Sequence, residues 1–447
     1  MSGNRIKKIP KTVVILGLVS LFTDIASEMI YPLLPVFIAA LGSGAIVLGI
    51  VEGVAETTAS VIKLFSGIIS DRTGKRKLLV LIGYSISSFI RPITGIVSSA
   101  WQIIIIRMID RTGKGIRTAP RDAVIASSTD ESSRGRSFGF HRAMDHTGAV
   151  LGPLVALVIL VFLIAGFRIT DSVKALRLTF LIAFIPGLLA VLTIIFFVKV
   201  KNQPKTRRIA FSLRLNEFDS NFRAYLISVL LFTLGNSSDA FLLFRIEEAI
   251  QESGALTGII SKSDILSQLV SGLGTEENRQ MIINILFLPF IWSFFHLIKV
   301  IMSTPLGALS DRIGRKVVIR SGWAVYAFVY LCFALLVFLP GELQVAASLI
   351  LFAVYAVYYA FTEGTEKAFV ADLADENKRG TAYGMYNFCV GLGALPASII
   401  FGIIYSWSDR LFPGLGGTVA FGYGAVMAIA AMIFLSLKVR EARPINP

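Results

Sequence analysis

Twelve runs of mostly apolar residues divide this chain, each long enough to cross a bilayer as a helix: roughly residues 12–40, 46–69, 78–98, 101–126, 137–165, 175–199, 223–246, 280–309, 317–339, 344–372, 380–407 and 417–438. Lipid offers no water to backbone N–H and C=O groups, so only helices or closed barrels can span it. Continuous apolar runs without ten-residue alternation select helices. Composition agrees, because 55% hydrophobic residues, 16% charged residues and a mean hydropathy of +0.73 suit a chain solvated by lipid. The expected fold class is therefore an all-α membrane protein with twelve transmembrane helices.

Two cysteines, Cys332 and Cys389, lie far apart inside apolar runs. They provide neither a disulfide framework nor metal-ligand spacing, and read as free thiols; no metal and no cofactor is expected. The basic start, with Arg5, Lys7, Lys8 and Lys11, resembles the charged region of a secretion signal, yet the apolar run after it is too long and lacks a cleavage site. It reads as an uncleaved first helix.

A charged phrase occurs twice. GIISDRTGKRK from Gly67 to Lys77 returns as GALSDRIGRK from Gly307 to Lys316, so Gly67, Ser70, Asp71, Arg72 and Gly74 match Gly307, Ser310, Asp311, Arg312 and Gly314. Both copies follow a second-in-series apolar run, which implies two halves of one architecture. Gly74 and Gly314 suit a turn that needs positive φ, and Asp71 and Asp311 can accept from exposed backbone donors or from an adjacent helix N-terminus, while the basic residues hold the loop at anionic headgroups.

With the N-terminus in the cytoplasm, the basic clusters fall on one side: Arg5 to Lys11, Arg72 to Lys77, Arg134 and Arg136, Lys199 to Arg223, Arg312 to Arg320, Lys378 and Arg379, and Lys438 to Arg443. The opposite loops hold few cations, namely Arg168, Lys174, Arg177, Lys262, Arg279 and Arg410. This positive-inside pattern places both termini in the cytoplasm of a prokaryotic cell with the chain in its cytoplasmic (inner) membrane, and it accounts for much of the net charge of +14. Cations spread over loops rather than gathered on a soluble face exclude a nucleic-acid partner. The expected division is an N-terminal six-helix bundle over 1–199, a cytoplasmic linker over 200–222 and a C-terminal six-helix bundle over 223–447. An extended non-cytoplasmic loop over 247–278 breaks the symmetry; it reads as a surface insertion or as short amphipathic helices at the mouth.

The repeated GxxSDRxGRK-like turn, in a chain split six plus six by a basic loop, resembles the major facilitator superfamily (MFS) of secondary transporters over essentially its whole length. A second pattern, Gly139, Gly148 and Gly152-Pro153, is similar to the helix 5 motif of that family's antiporters, although Ala156 and Leu157 stand where the motif has two further glycines. A third, helix 4 pattern is met only in part, with Arg107 followed by Asp110 and Arg111. The resemblance implies that Asp71 latches helix 2 against helix 11, with Gly67, Arg72, Gly74, Gly307, Asp311, Arg312, Gly314, Gly148, Gly152 and Pro153 in the gating apparatus. It also implies a central cavity lined by helices 1, 4, 7 and 10. Small-residue packing alone offers another account of the helix 5 glycines.

Inside the membrane the sharpest signal is a polar stripe. At 100° per residue, Arg107, Asp110, Arg111, Lys114, Arg117 and Arg121 fall within one sector of helix 4. Exposing it to lipid would cost at least about 2.5 kcal/mol per central charge. Helix 1 carries Asp24, Glu28 and Tyr31, helix 2 Glu52, Glu56 and Lys63, helix 7 Asn236 and Asp239, and helix 10 Tyr355, Tyr359, Thr362 and Glu366, flanked by Tyr358, Glu363 and Lys367. The expected substrate cavity comprises Arg107, Asp110, Arg111, Lys114, Arg117, Tyr31, Asn236, Tyr355, Tyr359 and Thr362. Two readings of the cations compete: an anion site, or an internal ion-pair network that breaks and reforms. A buried carboxylate not clamped by a cation can carry a proton, which selects Glu28, Asp239, Asp24, Glu52 and Glu366 for coupling. His141 and His146 sit beside Arg142 and Asp145, and His141 can pair with Asp145 four residues on.

The expected activity is secondary active, proton-coupled transport of a small polar or amphipathic solute by alternating access, with efflux by antiport favoured; uptake or exchange of an organic anion is the alternative. The expected partners are the lipid bilayer, the solute and protons, with the chain a monomer. A non-transporting receptor of the same fold is a further reading. An enzyme is not expected, since no paired His-x-x-x-His, GxSxG or P-loop occurs and no extramembrane domain is large enough for a nucleotide.

Overall fold

The structure is a computed structural model that describes residues 8–441 apart from 35–36, 39–40, 43–44, 164–166, 168, 170–171, 200–217, 238, 240, 244, 247–248 and 250–275; at 45–54, 56–57, 161, 172, 276–290, 342 and 395 only the backbone is described. Most of the linker and of the long loop, and the side chains of Glu52 and Glu56, therefore lie outside the described residues. The described residues form helices and connecting turns: α1 (Lys11–Glu28), α2 (Ala45–Thr73), α3 (Arg76–Ile90), α4 (Ala100–Ser127), α5 (Arg134–Val161), α6 in two segments (Ser172–Ile182 and Phe184–Phe197), α7 (Ser220–Gly235), α8 (Glu276–Ile313), α9 (Arg315–Leu335), α10 (Gly341–Leu373), α11 (Arg379–Leu411) and α12 (Gly416–Lys438). Nine helical spans among the described residues are long and apolar enough to cross a membrane. Helices α2, α4 and α7 fall outside that group, α4 because of its polar stripe and α7 because it is only 16 residues long.

Local sequence explains the ends. Ser99 caps α4 in a capping box, with Gln102 Oε1 accepting the Ser98 N–H at 2.8 Å and the Ser99 N–H at 3.2 Å. Asp219 caps α7 by accepting the Phe222 N–H at 2.7 Å, so α7 starts before the expected boundary at 223. Two apolar runs are interrupted where continuous helices are expected. Helix α1 gives way after Glu28 to a 3₁₀ turn over Tyr31–Leu33 entered at Pro32, and α7 stops at Gly235, where Asn236 leaves helical geometry at φ −92°, ψ 87°. Gly74 (φ 65°) and Gly314 (φ 98°) both take the left-handed region at the repeated turns.

Contacts follow a pseudo-two-fold. In the earlier set α1 packs on α5 and α6, α2 on α4, and α3 on α4 and α6; in the later set α7 packs on α11 and α12, α8 on α10, and α9 on α10 and α12. Adding six to each helix number converts one list into the other. The sets meet through α2–α11 and its counterpart α8–α5, and through α4–α11 and its counterpart α10–α5. The outside is apolar, with Phe196, Val158, Phe338 and Leu437 each more than 65% exposed, whereas Asp110, Arg117, Asp122 and Lys367 are buried. That inversion of a soluble protein's distribution is what lipid requires.

Candidate functional site: a charged cavity between two helix sets

Where α2 crosses α11, a Cβ on Gly67 would collide with the carbonyl oxygen of Gly380; where α8 crosses α5, a Cβ on Gly307 would collide with the carbonyl of Gly135. Only glycine permits these approaches. One turn further along α2, Asp71 accepts the N–H of Gly380 (3.0 Å) and of Thr381 (2.6 Å), together with the Thr381 hydroxyl (2.9 Å). Its counterpart Asp311 accepts the N–H of Gly135 (3.0 Å) and Arg136 (2.9 Å). Each carboxylate thus occupies the N-terminus of a helix from the opposite set, where four backbone donors lack intrahelical partners. Arg76 backs Asp71 at 3.2 Å and Arg315 backs Asp311 at 2.6 Å. Arg315 also reaches Asp372 at 3.1 Å, and Arg134 of α5 reaches the same Asp372 at 2.5 Å. The end of the molecule that carries the basic loops is shut by these pairs. Arg72 is half-buried and Arg312 exposed beside them.

Above this closure lies a cavity of about 360 Å³ walled by both sets. Helix α4 presents Lys114, Arg117 and Arg121 from one side, and α10 presents Tyr359, Thr362 and Glu363 from the other. Arg117 is fixed by Ser87 Oγ (2.6 Å), the Gly83 carbonyl (3.3 Å) and the Tyr84 ring, whose centroid is 4.3 Å away. Arg121 is held by Asp122 at 3.0 Å, and Asp122 in turn takes Lys367 of α10 at 2.6 Å, an ion pair that spans the two sets. Asp24 and Asn236 also line the cavity, with Asn236 donating to the Tyr358 hydroxyl at 3.2 Å.

Half of the expected cavity residues line it: Lys114, Arg117, Asn236, Tyr359 and Thr362. Arg107, Asp110, Arg111, Tyr31 and Tyr355 do not. The upper part of the α4 stripe is engaged elsewhere: Asp110 binds Arg91 at 2.8 Å and Arg107 at 3.7 Å, Arg91 also donates to the Thr23 carbonyl at 2.9 Å, and Arg107 lies 5.4 Å from the Tyr31 ring centre. Tyr355 is fully buried and donates to Asp239 at 2.7 Å, as Tyr359 does at 2.9 Å. Of the carboxylates selected for coupling, Asp24 and Glu366 line the cavity, while Asp239 lies behind the tyrosines and Glu28 packs its Cβ against Gly152. Glu366 accepts from Trp323 Nε1–H at 3.1 Å and the Tyr386 hydroxyl at 2.5 Å, and no ion pair to it occurs among the described residues. On α5, Gly148 and Gly152 admit α1, Gly139 admits α8, and the helix runs on through Pro153.

Several residues of this centre carry no sequence-based expectation, namely Asp122, Lys299, Asp372, Arg91 and His296. Asp122 and Lys367 pair across 245 residues, a relation no helical wheel contains. Lys299 places its ammonium 3.5 Å from the Tyr359 ring centre and 4.1 Å from that of Phe295.

A polytopic helical protein with two pseudo-symmetric sets, a charged central cavity and paired glycine crossings is a membrane transporter scaffold. The family model for the Major Facilitator Superfamily matches residues 16–395 and, again, 282–447. The chain belongs to that superfamily. An uncharacterized MFS-type transporter of Methanocaldococcus jannaschii is 32% identical over 429 residues, covering 96% of this chain and 95% of that protein. The multidrug resistance protein MdtH of Cronobacter sakazakii is 26% identical over 149 residues, 33% of this chain and 36% of that one. The crystal structure of the E. coli fucose:proton symporter FucP covers 96% of this chain at a TM-score of 0.67 and 14% identity, with 98% of its own chain matched, a likeness of fold. The protein is thus an integral membrane protein of a transporter family.

Proposed function

We propose that this chain is a proton-coupled secondary transporter of a small polar or amphipathic solute, in which helices before residue 200 and after residue 217 form two bundles that rock about the central cavity. The observation that carries this reading is the charged cavity walled by both sets and shut at one end by Asp71 and Asp311 on opposite helix N-termini. A latch made of backbone hydrogen bonds to two carboxylates can form and break without unfolding either helix. The basic end is the cytoplasmic end in this account, on the loop charges, so the arrangement is an outward-facing one. Export is favoured over uptake, supported by the α5 glycine pattern and by the partial likeness to MdtH.

The cations of α4 divide between the two readings of the stripe. Arg107 and Arg121 are paired to carboxylates, which supports the internal network. Arg117 lines the cavity and is held directly by Ser87, the Gly83 carbonyl and the Tyr84 ring, with Asp110 acting on it from further off, which supports an anionic group on the solute at that point. A thermal-shift screen of organic anions, sugars, amino acids and lipophilic cations on the purified protein identifies the class. Proteoliposome flux with and without a pH gradient then tests coupling. Stabilisation by anions that disappears in Arg117→Ala supports the anion site; flux of a stabilising solute that ignores the pH gradient contradicts proton coupling.

A further inference from the structure

The chain has three histidines, His141, His146 and His296. Two meet at the seam between the helix sets. His146 of α5 sets Nε2 2.7 Å from Glu363 Oε2 of α10 and Nδ1 3.1 Å from His296 Nδ1 of α8. His146 belongs to the earlier set and both of its partners to the later one. Both rings are buried, while Glu363 opens onto the cavity. The charged groups facing the cluster are Arg142 from α5, Lys299 from α8 and Asp239 from beyond the end of α7; Asp145 and Arg121 act on Arg142 behind it. Arg142 lies 3.6 Å from Glu363 and 2.8 Å from Asp145.

Hydrogen counting constrains what this chain of atoms can do. An Nδ1-to-Nδ1 contact holds one hydrogen, given by one ring and accepted by the other. With no added proton, His296 donates from Nδ1 to His146, and His146 donates from Nε2 to the Glu363 carboxylate. With one added proton, Glu363 stays a carboxylate beside Arg142, His146 donates from both ring nitrogens, Nε2 to Glu363 and Nδ1 to His296, and His296 carries its hydrogen on Nε2. The conversion adds one proton at His296 Nε2 and shifts one hydrogen along the existing Nδ1-to-Nδ1 bond; nothing else is gained or lost. Loss of the His146 Nε2 proton to the cavity by way of Glu363 leaves a bare Nε2 facing a carboxylate. Two acceptors at that separation repel, and the contact between α5 and α10 parts.

We infer that Glu363, His146 and His296 form a proton relay that binds one proton at the seam and makes its release a trigger for separation of the two helix sets. The inference rests on the transport reading, whose coupling step it locates.

The test is a ¹⁵N-histidine spectrum of the full chain in lipid nanodiscs, titrated with protons themselves as the ligand; His141→Gln removes the remaining ring. The expected result is a single shared midpoint for His146 and His296, with His296 exchanging its protonated nitrogen from Nδ1 to Nε2 as pH falls. In Glu363→Gln that shared midpoint moves down, because the carboxylate that favours the charged ring is gone. A His296 tautomer that stays constant over the range, or a His146 titration unchanged in Glu363→Gln, overturns the relay, and the wild-type spectrum alone decides the first point. Coupling is read from spin-label distances between Thr73→Cys and Lys378→Cys in a Cys332→Ser, Cys389→Ser background. Wild type is expected to change its distance distribution at the same midpoint, and Glu363→Gln to lose that response. A gate that opens in Asp71→Ala but keeps its pH response in Glu363→Gln overturns the relay. A gate that opens in neither contradicts the rocking of the transport reading and the trigger with it, while the ring titration still reports on proton binding.

Discussion

Asp71 on α2 accepts the backbone N–H of Thr381 at 2.6 Å, and so binds the first turn of α11 from the opposite helix set. The carboxylate meets donors that would otherwise lack partners, and the same bond recurs between Asp311 and Arg136 at 2.9 Å. Hydrogen bonds to a charged group contribute about 1.5–3 kcal/mol. Asp71→Asn keeps one acceptor and should weaken the closed state by about 1–2 kcal/mol, a roughly 5- to 30-fold change in the open-to-closed ratio. Spin-label distances across the α2–α11 end measure it. Asp311→Asn should act in the same direction at α8–α5.

The glycine crossings give a steric version of this test. Gly67→Ala and Gly307→Ala place a methyl against a backbone carbonyl that cannot rotate away, so both should push the helices apart and lower thermal stability by about 1–3 kcal/mol. Gly422, which has open space at its Cβ position, is the control: Gly422→Ala should leave stability and gate distance within about 0.5 kcal/mol of wild type.

The Asp122–Lys367 pair is buried and links α4 to α10 at 2.6 Å. Removing either partner strands a charge and should cost about 3–5 kcal/mol, whereas replacing both should recover much of the loss. A thermal double-mutant cycle with Asp122→Asn and Lys367→Gln reads the coupling. Additive losses would show that the pair is not an energetic unit; Arg121, which also holds Asp122, sets the residual.

Glu366 sits between Trp323 Nε1 and the Tyr386 hydroxyl without an ion pair among the described residues. Glu366→Gln retains an oxygen acceptor and should change stability by less than about 1.5 kcal/mol. If this carboxylate takes part in coupling, the variant should exchange solute across the bilayer yet fail to concentrate it against a gradient. Accumulation at the wild-type level would remove Glu366 from the coupling path.

Much of this architecture was legible in the sequence because membrane helices satisfy their own backbone and leave few alternatives. The repeat located both left-handed glycines, Gly74 and Gly314, and gave Asp71 a helix N-terminus as one of two possible partners. The site was legible only to the level of a helix face. Angle around α4 groups Arg107 with Arg117, but depth separates them: Arg91, brought in by the turn after α3, takes Asp110 and leaves the lower cations to the cavity. A lone histidine in an apolar helix reads as core, so His296 carries no signal until α5 is laid against α8. The interruptions of α1 and α7 were hidden for a related reason, since hydropathy continues through Pro32 and Asn236 while the helices do not.

The central claim is that two helix sets alternate about the cavity and that the paired aspartates hold one end shut. Its most direct test is the labelling of Asn236→Cys, a cavity position, by a membrane-impermeant thiol reagent applied to either side of proteoliposomes in the Cys332→Ser, Cys389→Ser background. The account predicts labelling of the parent mainly from the side opposite the basic loops, and labelling from both sides once Asp71→Asn and Asp311→Asn are combined. Labelling from one side only, unchanged by the two latch substitutions, would contradict it.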